Sequence, residues 1–395
     1  MKVKRKPQLH ASWIDPHARQ IVEQLQRRGY VSYLVGGCVR DLLVGVHPKD
    51  YDIATNASPQ EVRKCVPQSF VIGKRFRLVL VKRRDQQFEV ATFRRSGKAE
   101  DIAELPEGSH PSADNFFGTP EEDALRRDFT VNALFYDPVA DQLIDYASGL
   151  ADIASRTLRM IGDPATRIIE DSIRILRAIR LAHKLNFQIA SELRSAMQSH
   201  ASELQKAVLP RRREEFIKIL RLAEPERAFL EMWDLGILQQ IAPALNPIFE
   251  APERLELFLH YLRSKDQICL NPQLPTEVFA PLIWAFYKSM MGSETAVDSG
   301  AEKETLEALD IFMRRDLGLF KTEQADILAA MELIPRVKDV ESMLRRGSRR
   351  QQSFMSLPHL PLSLRFACND YLLSGQEVQF WKKSWAQLSA PAART

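Results

Sequence analysis

Two carboxylates stand two residues apart in Lys49-Asp50-Tyr51-Asp52-Ile53. In an extended strand, residues i and i+2 point to the same side, and like charges there repel unless a cation lies between them. Hard oxygen ligands suit Mg²⁺, which keeps several waters and takes further ligands from substrate phosphates. The pair therefore points to metal-assisted phosphoryl or nucleotidyl transfer. An acidic strand end would explain Asp-x-Asp alone, but the upstream residues favour chemistry. Leu34-Val35-Gly36-Gly37-Cys38-Val39-Arg40-Asp41 puts paired glycines at a strand-to-helix junction. Backbone N–H groups can approach a phosphate there, aided by the helix start. Arg40, on the first helical turn, is placed to add a charge-assisted bond.

A second group lies in IIEDSIRILRAIRLAHKL. At about 100° per residue, Ile168, Ile175, Leu176 and Ile179 gather on one side, with Arg174, Arg177 and Arg180 in a drifting band opposite. A solvated basic face is the plain explanation; however, three arginines at i, i+3 spacing repel unless an anion is near. Two further basic clusters, Arg211-Arg212-Arg213 and Arg345-Arg346…Arg349-Arg350, are either solvated turns or phosphate contacts that bind RNA regardless of sequence. Trp381 and Trp385 would be i, i+4 neighbours on a helix and read as local core. The eight histidines show no metal spacing.

The elements that must position these residues alternate over the first 150 residues. Asp15-Pro16 caps a helix with apolar Ile21, Val22 and Leu25. Tyr33–Val35 and Asp50–Ala54 read as strands, with CVRDLLVG as a helix between them. Ser58-Pro59-Gln60-Glu61 and Thr119-Pro120-Glu121-Glu122 are capping boxes with proline at the first helical position. RFRLVLV and FEVATF form a hairpin across polar Arg83–Gln87, and Leu134–Tyr136 with Leu143–Tyr146 a second. Arg95 to Asn115 reads as a loop, as does Met291–Lys303. Beyond about residue 150 the periodicity is helical throughout. The expected fold is an α+β N-terminal domain with a mixed β-sheet, then an all-α C-terminal half.

Composition narrows the class. The 395 residues carry Lys+Arg 55 against Asp+Glu 51, a net +4, with 45% hydrophobic and 27% charged residues. These values exclude a disordered or collagen-like chain, and the mild basicity is compatible with a polyanion partner. No apolar run reaches the roughly 18 residues of a membrane span. The start, MKVKRKPQLHASWID, lacks the apolar region of a secretory signal. Scattered Cys38, Cys65, Cys269 and Cys368 suggest neither zinc site nor disulfide framework, as expected in the cytoplasm.

GGCVRDLLVGVHPKDYDIAT resembles the opening motif of the class II tRNA nucleotidyltransferase and bacterial poly(A) polymerase family, within the polymerase-β-like superfamily. FEVATFRR, EEDALRRDFTVNALFYD and EDSIRILRAIRLAHKLNF resemble its later motifs, in order. The resemblance implies a catalytic head over residues 1–150, a nucleotide-selecting, RNA-binding neck over 151–220, and an RNA-binding body and tail over 221–395. Asp50 and Asp52 would hold two Mg²⁺ ions. Gly36, Gly37, Arg40 and Arg127 would contact the triphosphate, and Asp128 would be the third active-site acid, preferred over Glu89. Asp171 and Arg174 would read the edge of the base, with Arg177 and Arg180 on base or phosphates. Asn115-Phe116-Phe117-Gly118-Thr119 and the region RRGSRRQQSFMSLPHLPLSLRFACNDYLL resemble the poly(A) subgroup; Ser172, where relatives often have proline, departs from the pattern. The implied activity is template-independent addition of AMP from ATP to RNA 3′ ends, the rivals being a CCA-adding enzyme and a non-catalytic RNA-binding protein on a decayed fold.

Overall fold

The computed structural model describes residues 3–5, 9, 11–73, 78–97, 116–263, 273–292, 299–370 and 372–389. The chain forms two units, Met1–Glu170 with Leu185–Met197, and Asp171–Lys184 with Gln198–Thr395.

In the first unit, β1 (Val3–Arg5) precedes α1 (Pro16–Gln26). The Asp15 side chain starts α1 by accepting from the N–H groups of His17 at 2.7 Å and Ala18 at 3.2 Å. Then come β2 (Ser32–Val35), α2 (Gly37–Leu43), β3 (Asp52–Thr55), α3 (Pro59–Cys65), β4 (Ser69–Ile72), β5 (Leu78–Arg83) and β6 (Gln86–Thr92). Short β7 (Arg94–Arg95) and β8 (Phe116–Phe117) pair with each other. They precede α4 (Pro120–Leu125), β9 (Leu134–Asp137), β10 (Gln142–Asp145) and α5 (Pro164–Glu170). Both expected capping boxes form: Ser58 with Glu61, and Thr119 with Glu122. Eight strands make one mixed sheet in the order β1-β10-β9-β2-β3-β6-β5-β4. Only β3 and β6 run parallel in it; the other neighbours are antiparallel. One core cluster joins Ile21, Val22 and Leu25 of α1 to Leu34, Ile53, Val81, Phe88 and Val90 of the sheet. Burying each such side chain contributes roughly 1.5–3 kcal/mol.

Two expectations shift. The β signal continues past residue 150, because Thr157–Leu158 pairs parallel with Gln188–Ile189. Together with the Thr130 hydroxyl bonded to Asp152 at 2.6 Å, this keeps the chain to Glu170 with the sheet. The run through IIEDSIR is also not one helix. It breaks after Glu170, and α6 (Ile173–Leu185) restarts where an Asp171 oxygen accepts from the N–H of Ile173 at 3.3 Å, a local cap that competes with continuous helix.

The second unit is helical. It contains α6, α7 (Leu209–Leu220), the helices Pro252–Arg263 and Pro275–Met291, then α8 (Lys321–Lys338) and α9 (Ser348–Met355). Phe216, Phe229, Phe258, Phe279, Phe286, Phe312, Phe366 and Trp381 are fully buried in it. Trp381 packs on Phe354 with ring centroids 6.0 Å apart, the core role expected of it. Residues 98–115 of the first expected loop and 293–298 of the second lie outside the described residues; Ser299–Ile311 is already helix. No described helix is long and apolar enough to cross a membrane.

Candidate active site

β3 begins at Asp52, and Asp50 stands two residues before it. The intervening Tyr51 is buried, and its hydroxyl donates to the Trp13 carbonyl. The same-side carboxylate for Asp52 comes from across the sheet. In the parallel register of β3 with β6, Asp52 stands opposite Glu89. The Asp52 carboxyl is raised above its ordinary value, first by desolvation, then by the Glu89 charge and further by Asp50, while Arg127 opposes the shift. Asp50, Asp52, Glu89 and Arg127 thus share one electrostatic neighbourhood.

Arg127 follows α4 and is held from several directions. Its Nη2 and Nε donate to Asp123 Oδ2 at 2.9 and 3.3 Å, and its Nη1 donates to the Asn132 carbonyl at 3.3 Å. Asp123, 2% exposed, also accepts from Arg126 Nη2 at 2.9 Å and from the N–H of Arg94 at 3.1 Å. Burial disfavours the charged form of Asp123, yet Arg127 and Arg126 outweigh it and hold the carboxyl below its ordinary range. Arg167 of α5 donates to the carbonyls of Arg126 and Arg127 at 2.6 and 2.9 Å, tying down the end of α4. The Arg127 guanidinium lies against Gly36, where φ is +73° and a Cβ would meet Nη1 at 2.7 Å. Gly36 is required twice, for its backbone and for this approach. Gly37 carries neither constraint. It is the first residue of α2.

Arg40 lies on α2, enclosed by the head. It is 6% exposed and bonds Asp41 Oδ1 through Nε at 2.8 Å. Its Nη1 donates to Asn132 Oδ1, and Asn132 Nδ2 donates to Asp128 Oδ1 at 3.0 Å. Asp128 also accepts from the N–H of Phe129 at 2.8 Å. Arg40 is buried and satisfied by the protein's own acceptors. Asp128 is linked to it through Asn132, and Glu89 stands beside Asp52 in the strand register. Sequence reasoning missed Asp123 and Asn132. The i, i+3, i+4 spacing of Asp123, Arg126 and Arg127 was the available signal.

The second unit arranges the other expected residues. Both Asp171 oxygens accept from Arg211, at 2.9 and 2.8 Å. Arg180 Nε donates to Glu215 of α7 at 2.7 Å, so its counter-anion is the protein's own. Arg174 and Arg177 are half-buried on α6 and do not form a solvated face. The cluster Arg211–Arg213 is not an open basic patch either. Besides the Arg211 pair, Arg213 bonds Glu323 and lies over the rings of Phe279 and Phe320 at 5.7 and 4.7 Å. Arg212 and Asp316 steady each other's charge.

Among the described residues, no three His, Cys, Asp or Glu side chains converge as a ready-made metal cage. Mg²⁺ takes one or two carboxylates and completes its shell with water and phosphate. A raised carboxyl beside Glu89 and Asp50 is the kind of uncompensated donor set that a divalent cation would neutralise.

Comparison with known proteins relates the chain to nucleotidyltransferases. Residues 32–159 match the family described as Poly A polymerase head domain, and residues 186–249 match Probable RNA and SrmB- binding site of polymerase A. Poly(A) polymerase I of Salmonella typhi is 31% identical over 96% of this chain and 83% of its own length. That of Haemophilus influenzae is 36% identical over 68% of this chain and 61% of its own length. The CCA-adding enzyme of Levilactobacillus brevis is 34% identical over 63% of this chain and 61% of its own. A solved CCA-adding enzyme in its apo form II shares the fold, with a TM-score of 0.62 at 20% identity, covering 100% of this chain and 89% of that one. The chain belongs to the class II tRNA nucleotidyltransferase and poly(A) polymerase family.

Proposed function

We propose that this protein is a template-independent poly(A) polymerase that transfers AMP from ATP to RNA 3′-hydroxyl ends and releases pyrophosphate. The observation that carries the reaction type is the parallel register of Asp52 with Glu89, next to Asp50 and Arg127. Intact carboxylates at these positions speak against a decayed, non-catalytic descendant.

The reaction forms a bond from the RNA 3′-oxygen to the α-phosphorus and breaks the bond to the β-phosphate, while the hydroxyl proton departs. Mg²⁺ ions bound by Asp52, Asp50 and Glu89 would lower the hydroxyl's pKa and neutralise phosphate charge. Arg127, fixed by Asp123 and the Asn132 carbonyl, offers a positive charge beside Gly36 that needs no reorganisation to meet a triphosphate. Asp171 and Arg174 read the adenine edge, the carboxylate accepting from the exocyclic amine and the guanidinium donating to a ring nitrogen. Arg211 and the Ile173 N–H occupy Asp171 Oδ1, while Oδ2, bonded to Arg211 alone, keeps an acceptor position for the amine. Protein hydrogen bonds of this kind select a base without a template.

AMP addition rather than CCA addition is favoured by how far the similarity extends. The Salmonella polymerase aligns over 96% of this chain, the Levilactobacillus CCA-adding enzyme over 63%. The test offers ATP, CTP, GTP and UTP singly to a generic RNA and to a tRNA lacking its 3′ end. Long A-tails on both RNAs are expected. A stop after CCA on the tRNA alone would make the protein a CCA-adding enzyme.

A further inference from the structure

Arg336, on α8, lines a pocket of about 390 Å³ together with Arg346, Arg350, Ser353, Phe354 and Leu357. Its guanidinium lies over the Phe354 ring at 4.7 Å. Phe354 is 3% exposed and packs on the fully buried Trp381. The aromatic floor is thus rigid, and a guanidinium stacked on it keeps its N–H edge free to donate. Arg346 and Arg350 enter the pocket from the turn before α9 and from α9 itself. Among the described residues no carboxylate lines the pocket, and none of these three arginines has an acidic partner. The nearest acid in sequence, Glu341, is bonded to Arg345 at 3.1 Å. Three cations brought to one concavity repel one another unless an anion joins them.

We propose that Arg336, Arg346 and Arg350 form a phosphodiester-binding groove that holds the RNA primer away from its reacting end. The groove lies outside both matched family segments, 32–159 and 186–249. It also divides the basic cluster read from the sequence: Arg346 and Arg350 face the groove with Arg336, whereas Arg345 is tied to Glu341. Choosing RNA as the polyanion rests on the proposed function. Phosphate contacts position a strand without reading its sequence, which suits a primer whose end is continually extended.

The test measures binding of labelled single-stranded RNA by fluorescence anisotropy over a range of KCl concentrations, without nucleotide. It compares the full chain with the R336Q/R346Q/R350Q variant and with R346Q alone. Each single-strand phosphate contact contributes about 0.7 to the slope of log K against log salt, so the triple variant should be shallower by about 2. The loss should be equal for poly(A) and mixed-sequence RNA, with the melting temperature unchanged. R346Q should show about a third of the slope change, which protects the test if the triple variant folds poorly. An unchanged slope in either variant, or a loss confined to one RNA sequence, would overturn the proposal. So would inorganic phosphate or pyrophosphate binding that depends on the three arginines while RNA binding does not, since that would mark a free-anion site. The binding readout stands apart from catalysis: failure of the wild type to incorporate AMP would refute the proposed function through a different measurement.

Discussion

Arg211-Arg212-Arg213 and the arginines around Arg345–Arg350 look alike as sequence, yet the helical unit treats them in opposite ways. The first cluster is answered residue by residue: Arg211 by Asp171, Arg212 by Asp316, Arg213 by Glu323. In the second, Arg346 and Arg350 meet a third arginine and no acid. A basic run in sequence therefore says little until its counter-charges are located. Compensated arginines fix internal geometry, and uncompensated ones await a ligand. The head repeats the contrast with carboxylates. Asp123 sits between two arginines and is held below its ordinary range; Asp52 faces Glu89 and is raised above its own.

The largest effect should come from removing a compensating acid. Asp123→Ala leaves Arg126 and Arg127 partly buried without their anion, and breaking a buried pair in this way costs about 3–5 kcal/mol. Denaturant melts should show a loss of that order, and nucleotide addition should fall with it because Arg127 is no longer aimed. Asp123→Asn, which keeps the shape, should recover part of the stability and little of the activity. Normal melts and normal addition in both variants would show that Asp123 does not organise the site.

A smaller effect concerns Asp316, 5% exposed, whose carboxyl is raised to about 6, chiefly by burial, despite an N–H from Ala244 at 3.1 Å and the charges of Arg212 and Arg315. A raised acid favours the folded state while protonated. From about pH 4 to 6 the unfolded chain ionises first, so this contribution is lost as pH rises and is gone above about 6. The lost amount is at most roughly 3 kcal/mol. Asp316→Asn removes the titration, so its stability relative to wild type should climb through that window and level off above it. Melts at stepped pH check this; a constant difference would mean that Asp316 does not titrate there.

Much of the head was legible locally. The Asp15 cap, both capping boxes and the β5–β6 hairpin depend on neighbouring residues, and each formed where the pattern put it. The pairing of Asp52 with Glu89 was less so, because register between parallel strands is set by distant contacts. The bond of Arg40 to Asn132 was not legible either, because Asn132 lies far along the chain. Arg336 gave no signal at all. A lone arginine on a long helix becomes a site only when folding brings Arg346 and Arg350 to it.

The Asp52–Glu89 pair is the centre of the proposed site. Glu89→Gln preserves size and hydrogen-bonding capacity and removes one charge. The deciding measurement is the single-turnover rate of AMP incorporation from ATP into an RNA primer by this variant, with its melting temperature recorded alongside. If Glu89 shares the work of Asp52, several kcal/mol of transition-state stabilisation are lost and the rate falls roughly a thousandfold with the fold intact. A rate within a few-fold of wild type would contradict the assignment and return Glu89 to a surface acid on β6.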